Sequence, residues 1–306
     1  MSRARESGGA VRLDGAVVLL NGVAGRGRAL RKHEIVREEA QAAGIQVQGA
    51  TSPEEMEEVA REAAASGIDR VIAAGGDGTV HRVLNGLMGS EAALGIIPCG
   101  SGNDLAVNLG IPHDVRAAEQ LAFTGAVRDI DLCRIECARS TRHFGCIASF
   151  GLDSHANRIA NLHTGPFRGT ALYVWSMLRA LMEFTPVAAR VTHDAGEYRG
   201  EILLLVAANA SSYGGGMRIA PSADLADGLL DVVAVRRMTR LKLLWCFPEV
   251  FSGKHISREE VTCLRSTELR IDAARPLQIF ADGEYIGDTP ARVSVLPRAW
   301  RVISRG

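Results

Sequence analysis

Short apolar runs that lead into glycine-rich or polar turns and then into amphipathic segments recur up to about residue 131. The units are AVVLLN before GVAGRGRAL, IQVQGA before Thr51-Ser52-Pro53 and an acidic segment, RVIAA before GGDG, and LGIIPC before GSGNDLAVNLG. Each apolar run predicts a buried strand, and each periodic segment after it predicts a helix. Strands that alternate with helices predict a doubly wound parallel sheet, with the turns at the carboxyl ends of its strands, where ligands bind.

After Asp131 the pattern changes to strand-like runs separated by short polar turns. Examples are RHFGCIASFGLD, EYRGEILLLVAANA, LLDVVAVRRM and LQIFADGEYIG, with helical segments from Gly169 to Phe184 and after Thr239. Such runs predict a mainly antiparallel β-sandwich. We expect an α/β domain over residues 12–131, rejoined by the segment 293–306, and a β-sandwich domain over residues 132–292, with a cleft between the two.

The composition favours a globular protein over a nucleic-acid-binding or membrane-spanning one. The 306 residues are 47% apolar and carry 35 basic and 35 acidic side chains, which indicates a globular protein and gives no reason to expect nucleic acid as a partner. The apolar run at 202–210 is too short to span a bilayer, so we expect any membrane contact to be peripheral. The cysteines have no metal-site spacing, and we expect reduced core thiols in a cytoplasmic protein.

The first glycine-rich turn consists of Gly75, Gly76, Asp77 and Gly78, followed by Thr79. Glycine permits backbone angles closed to other residues, and the amides that begin the next helix can face an anion. The turn lacks the spaced glycines of a dinucleotide fingerprint and the lysine of a P-loop. By itself it favours an anion site and a plain strand-to-helix turn equally.

The second turn, PCGSGND at 98–104, changes that balance. Two glycine-rich turns at neighbouring strand ends can hold one polyphosphate from two sides. Ser101, Asn103 and Asp104 either contact the ligand or cap the helix, and the two roles can coexist.

GGDGT at 75–79 and PxGSxND at 98–104 resemble the diacylglycerol kinase catalytic-domain superfamily, most closely the bacterial YegS/BmrU-type lipid kinases, relatives of sphingosine kinases. The likeness continues in order through SFGLD at 149–153, NASSYGGGMRIAPSADLADGLLDV at 209–232 and DGE at 282–284, so it covers nearly the whole chain. It implies an NAD-kinase-like first domain and ATP-dependent phosphoryl transfer to a lipid hydroxyl, such as that of diacylglycerol, phosphatidylglycerol or a sphingoid base.

The resemblance also implies roles for individual residues. Those implied to contact ATP are Asn21, Thr51, Gly75, Gly76, Asp77, Gly78, Thr79, Gly100, Ser101, Asn103 and Asp104. Magnesium would be held by the Asp227 carboxylate and the main-chain oxygens of Asp224 and Leu229. Asp282 would be the general base, assisted by Glu284, although ADGEYIGD alone favours a plain hairpin turn. Because no cation lies near Asp77 in sequence, we expect its carboxylate to act through a metal or water.

Three positions depart from the family pattern. Gly22 stands where relatives carry proline, and His81 and Arg82 stand where they carry a polar residue and glutamate. These residues leave open a catalytically weakened nucleotide- or lipid-binding regulatory protein. A kinase of a soluble acceptor also stays open, because the nucleotide half resembles that of NAD kinases. An exposed strand edge in the second half would allow a homodimer.

Two further features have open interpretations. The cations Arg26, Arg28, Arg31 and Lys32 favour equally a grip on a phosphate or lipid head group and a solvated helix start. The apolar stripe at 175–182 favours a core position over contact with lipid.

Overall fold

The computed structural model describes residues 15–21, 28–163, 166–167 and 169–305, so Gly22 and Arg26 lie outside the described residues. The first half contains strands β1 Ala16–Asn21, β2 Gln46–Ala50, β3 Arg70–Gly75 and β4 Ala93–Pro98, and helices α1 Arg28–Ala42, α2 Pro53–Ala65, α3 Asp77–Gly86, α4 Asp104–Asn108 and α5 Val115–Thr124. The strands pair in parallel in the order β2-β1-β3-β4. This confirms the predicted parallel sheet.

The second half is antiparallel. Its strands are β5 Ala126–Cys137, β6 Thr141–Phe144, β7 Ile147–Gly151, β8 Val187–His193, β9 Gly196–Ala208, β10 Leu230–Arg236, β11 Val261–Ser266, β12 Glu268–Ala273, β13 Gln278–Ala281, β14 Glu284–Asp288 and β15 Ala291–Ser304. Its helices are α6 Leu152–Asn161, α7 Gly169–Glu183, α8 Arg240–Cys246 and α9 Glu249–Ser252, followed by a 3-10 turn, Lys254–Ser257. A sandwich-like core of alternating side chains confirms the predicted fold class.

Strand β15 belongs to both halves. Its first residues pair with β12, its whole length pairs with β5, and Val302 near its end pairs in parallel with Leu94 of β4. Trp300 is buried in the core of the first half. The strand therefore ties the parallel sheet to the antiparallel one through main-chain hydrogen bonds.

Helix α6 was not expected from the sequence. The run RHFGCIASFGLD, predicted as one strand, forms β6, β7 and the start of α6, with breaks at Gly145-Cys146 and at Gly151. Gly151 has φ 89°, a left-handed conformation that glycine adopts readily and that redirects the chain into the helix. The helical segment after Thr239 divides into α8 and α9 around Pro248.

The core predictions for the apolar stripe and for the cysteines are correct only in part. Met177 and Leu181 are buried, whereas Leu178 and Met182 on the next positions of α7 are exposed. All six cysteines are free, but Cys263 is exposed on the short edge strand β11. Among the described residues, no helix has both the length and the hydropathy needed to cross a membrane.

Gly86 allows α2 and α3 to pack closely. A Cβ atom there would lie 2.7 Å from the Ala60 Cβ and would also overlap the Glu57 main-chain oxygen. We expect Gly86→Ala to lower the free energy of unfolding by about 1–3 kcal/mol, because two helix backbones would have to separate. Urea unfolding measures this. Gly49→Ala is the matched control, since its Cβ would make only an ordinary 3.9 Å contact, and equal stability of the two variants would contradict the expectation.

Candidate active site

The two glycine-rich turns lie side by side and touch. Gly75, the last residue of β3, pairs with Pro98, the last residue of β4, so both turns leave the same edge of the sheet. A Cβ atom on Gly100 would lie 2.5 Å from the Gly76 Cα. The contact therefore requires glycine, and no side chain separates the main-chain amides of the two turns.

Asp77 joins the two turns. Its carboxylate accepts N–H hydrogen bonds from Asn103 at 2.8 Å and from Asp104 at 2.6 Å. Asn103 has φ 59°, and its side chain is bonded to both the N–H and the carbonyl of Gly100, which fixes the second turn. The premise that Asp77 lacks partners is wrong, because the folded second turn supplies amide donors that its position in sequence does not reveal. Its action through a metal or water stays a prediction.

Two more aspartates hold segments that are remote in sequence. The Asp104 carboxylate accepts the N–H groups of Gly214 at 2.8 Å and Gly215 at 3.3 Å. The Asp282 carboxylate accepts three N–H groups, at 2.8 to 3.1 Å, from residues 145–147. Asp282 itself has φ 47°, so the hairpin turn presents its side chain toward the strand-to-strand connection before β7.

Burial perturbs two of these carboxyl groups. The pKa of Asp104 is raised to about 7, first by desolvation and then by the nearby Asp77 charge, against the amide hydrogen bonds that lower it. Desolvation likewise raises the pKa of Asp77, with a smaller contribution from Asp282. A carboxyl group that is partly protonated near neutral pH repels a bound anion less than a full charge would.

Two cavities open on either side of the joined turns. The first, which we call the glycine cavity, has a volume of about 310 Å³, and six of the residues implied to contact ATP line it: Asn21, Gly75, Gly76, Gly78, Thr79 and Gly100. The second, the central cavity, has a volume of about 260 Å³ and is lined by Asp77, Ser101, Asp104 and Asp282. The structure thus brings most of the predicted site residues together, but in two compartments.

Three predicted residues lie elsewhere than expected. Glu284 lines the glycine cavity rather than standing beside Asp282, because the turn at Asp282 separates the two side chains. The N–H and hydroxyl of Thr51 both bond the Glu55 carboxylate, at 2.6 and 2.5 Å, and the next residue, Ser52, lines the cavity instead. Asn103 lines neither cavity, since its side chain is committed to Gly100.

The two residues that depart from the family pattern face different cavities. His81 is buried on the central cavity, and its Nδ1 lies 3.8 Å from the Asp282 Oδ2. Arg82 lines the glycine cavity, with its guanidinium 3.7 Å from Glu284 and 3.6 Å from Glu57. Successive positions of one helix therefore reach both compartments.

Other residues of the central cavity were missed. Asn157 and Asn161 come from α6, which begins inside a run predicted as strand, and Gly214 and Gly215 follow Tyr213 in a turn. The run SSYGGG could have signalled a second set of exposed amides, because consecutive glycines permit a tight turn next to a ligand. The Tyr213 hydroxyl bonds the buried Asp153, whose pKa desolvation raises to about 6.

The residues implied for magnesium line neither cavity. Asp227 accepts the N–H of Leu229 at 3.0 Å and lies 3.4 Å from the Arg265 guanidinium, while Asp224 accepts the N–H of Ala226. Magnesium binds oxygen ligands, and one carboxylate with main-chain oxygens is a suitable set. However, the Arg265 guanidinium already neutralises the Asp227 carboxylate. Within the described ranges, no group of three or more His, Cys, Asp or Glu side chains is arranged to hold a metal. Magnesium stays a prediction.

Residues 15–135 match the family model described as the diacylglycerol kinase catalytic domain, and residues 146–304 match the YegS C-terminal NAD kinase beta sandwich-like domain. The chain belongs to the YegS-like lipid kinase family. This family assignment makes the protein a kinase and confirms the resemblance seen in the sequence.

Curated relatives support the same family assignment. The chain is 36% identical to a diacylglycerol kinase of Mycobacterium tuberculosis strain H37Rv over 79% of this chain and 78% of the relative. It is 32% identical to a YegS-like lipid kinase of Chromohalobacter salexigens over 79% of this chain and 78% of the relative. A crystal structure of a candidate diacylglycerol kinase from Bacillus anthracis str. Sterne has the same fold, with a TM-score of 0.77, 22% identity and coverage of 95% and 97%.

The raised pKa of Asp104 predicts a pH dependence of stability. The pKa is about 7 in the folded protein against 3.8 ordinarily, so between about pH 4 and pH 7 the folded protein keeps a proton that the unfolded chain has released. Asp104 therefore contributes a free energy of unfolding that falls as pH rises through this window. Urea unfolding at several pH values should show a shallower fall for Asp104→Asn than for the wild type.

The control for this prediction is Asp129→Asn, which removes an exposed carboxyl group. It should follow the wild-type pH dependence. An Asp104→Asn curve parallel to the wild type would contradict the assignment.

Proposed function

We propose that the protein is an ATP-dependent lipid kinase that transfers the γ-phosphate of ATP to a lipid hydroxyl, with diacylglycerol as the leading acceptor and phosphatidylglycerol or a sphingoid base as others. One observation carries the proposal: the two cavities adjoin at the glycine turns that Asp77 joins, and the second cavity contains Asp282. The relatives named as diacylglycerol kinases support the acceptor class. In this scheme residues 12–131 with 293–306 carry ATP, and residues 132–292 carry the acceptor.

ATP would lie in the glycine cavity. Helix α3 begins at Asp77 after Gly76, which makes no side-chain cap, so the first amides of a ten-residue helix are available to phosphate oxygens. Arg82 adds a positive charge on the same cavity. The Glu57 and Glu284 carboxylates lie 3.6 and 3.7 Å from this guanidinium, so Arg82 offsets their charge at the site proposed for the phosphates. Nucleotide binding alone fits both a kinase and a weakened regulatory protein, and Asp282 in the adjoining cavity is what favours the kinase.

Asp282 would be the general base in the central cavity. Its three amide hydrogen bonds hold the carboxylate in a fixed orientation. The acceptor hydroxyl gives its proton to Asp282 while its oxygen forms a bond to the γ-phosphorus, and the bond from that phosphorus to the β–γ bridging oxygen breaks to release ADP. The loop we propose for magnesium, with Asp224, Asp227 and Leu229, lines neither cavity, so an ion held there would stabilise the loop and is assigned no part in the transfer step.

The apolar part of the central cavity supports a lipid acceptor over a soluble one. Leu105, Ile147, Leu172 and Phe280 line it together with the aspartates. A soluble polyol would leave these apolar side chains in contact with polar groups, whereas the glycerol end of a lipid continues into hydrocarbon.

Asp282→Asn tests the base. An amide cannot take the hydroxyl proton, so we expect kcat to fall about 100-fold or more. The ATP dissociation constant should change little, because Asp282 lines the cavity opposite the nucleotide. The measurement is transfer of labelled phosphate from ATP to a panel of diacylglycerol, phosphatidylglycerol, sphingoid base and soluble polyol, together with equilibrium ATP binding.

The matched control is Asp272→Asn, which changes an exposed aspartate on β12. Circular dichroism of each variant verifies that it is folded. Undiminished transfer by folded Asp282→Asn would refute the assigned base, and wild-type transfer to the polyol alone would refute the lipid acceptor.

Arg82→Ala tests the nucleotide site. Loss of the guanidinium should raise the ATP dissociation constant about tenfold, since a charge-assisted hydrogen bond to phosphate contributes roughly 1.5–3 kcal/mol. Arg61→Ala is the control, because Arg61 pairs with the same Glu57 but lies outside both cavities. If both variants bind ATP as the wild type does, Arg82 does not contact the phosphates.

A further inference from the structure

Exposed apolar side chains concentrate on two helices that pack against each other in the second half. Leu178 and Met182 project from α7, and Leu241, Leu244 and Trp245 project from α8. Leu241 is 81% exposed, Trp245 74% and Met182 61%. We call these five side chains the α7–α8 face. Large apolar side chains left in water at such a density mark an interaction surface.

The α7–α8 face lies outside the packed core. On α8 its members stand at positions i, i+3 and i+4, which forms one stripe along the helix. The opposite side of the same helix supplies the buried Cys246, and the corresponding side of α7 supplies the buried Met177 and Leu181. These inner side chains enclose an apolar cavity of about 60 Å³ against the sheet. Both helices are therefore apolar on two sides, of which only the inner one is packed.

Positive charge surrounds the α7–α8 face. Residues 236–260 contain six Lys or Arg and three Glu, although the whole chain has a net charge of zero. Lys242 pairs with Glu260, whereas Arg240 and Lys254 form no ion pair with any residue that the structure describes. The Arg258 guanidinium lies 5.5 Å above the Trp245 ring and is paired with the Glu249 carboxylate, so Arg240 and Lys254 are cations of the rim without an acidic partner among the described residues.

We propose that the α7–α8 face docks on the surface of a bilayer that contains anionic lipid, and so brings the kinase to the membrane that holds its acceptor. Leucine and tryptophan side chains insert at the boundary of head groups and acyl chains, and a cationic rim attracts anionic head groups. A second copy of the chain fits less well, because a symmetric contact would place the two cationic rims against each other. The link to the acceptor rests on the proposed function; the docking itself does not.

Vesicle co-sedimentation tests the docking. The wild type should bind phosphatidylcholine vesicles that contain phosphatidylglycerol more tightly than vesicles of phosphatidylcholine alone. The double variant Leu241→Ser, Trp245→Ser should bind about tenfold or more weakly, since each large apolar side chain contributes that much when it leaves water. Arg240→Glu should weaken binding only to the anionic vesicles.

The control is Leu30→Ser, which replaces a half-exposed leucine on α1. It should bind as the wild type does, and circular dichroism verifies that all variants are folded. Equal vesicle binding by the double variant and the wild type would overturn the proposal. So would a double variant that loses self-association, measured by analytical ultracentrifugation, while it keeps vesicle binding, because the face would then join two copies of the chain.

A kinase assay on a short-chain diacylglycerol dissolved in buffer separates docking from function. The double variant should retain the wild-type rate there, because the substituted side chains line neither catalytic cavity, and should lose rate only on vesicle-borne substrate. Vesicle binding that depends on the face supports docking even if no lipid is phosphorylated. Phosphorylation of dissolved lipid by a wild type that binds no vesicle supports the kinase and overturns the docking.

Discussion

The double hydrogen bond from the second glycine turn to the Asp77 carboxylate determines the geometry of the site. These bonds hold the amides of Asn103 and Asp104 against the start of α3. The two turns approach so closely there that a side chain at Gly100 would overlap the Gly76 Cα. A buried carboxylate is unfavourable unless hydrogen bonds compensate its lost hydration. Here the compensation comes from main-chain amides, so the charge stabilises a backbone arrangement instead of forming an ion pair.

Two more carboxylates accept main-chain amide hydrogen bonds in the same way, and the three together connect distant parts of the chain. Asp77 holds the turn that contains Asp104, Asp104 holds the turn at Gly214, and Asp282 holds the connection before β7. Each carboxylate uses two or three of its roughly four acceptor positions on another segment, which fixes the cavity walls before any ligand arrives and leaves Asp282 able to accept a proton. Preorganisation of this kind suits phosphoryl transfer, in which positioning accounts for most of the catalysis.

The sequence predicts the parallel half well because three of its four strands, β1, β3 and β4, are buried on both faces and read as continuous apolar runs. The glycine turns are recognisable for a related reason, since only glycine satisfies their backbone contacts. The partners of Asp77 and the separation of Glu284 from Asp282 could not be predicted, because both depend on where remote turns fold. Helix α6 was missed although Leu152, Ala156 and Ile159 repeat at helical spacing and pack in a core cluster. Its first residues continue the strand-like run RHFGCIASFGLD, so the change from strand to helix at Gly151 is hidden in the sequence.

Strand β15 has a consequence for synthesis of the protein on the ribosome. The parallel sheet lacks its neighbour to β4 until β15 has been made, and β15 follows the entire antiparallel half in the chain. The first half therefore emerges from the exit tunnel with one edge of β4 unpaired, and it waits in that form while the second half is translated. Cells that make this protein must protect that edge from pairing with other nascent chains throughout the interval.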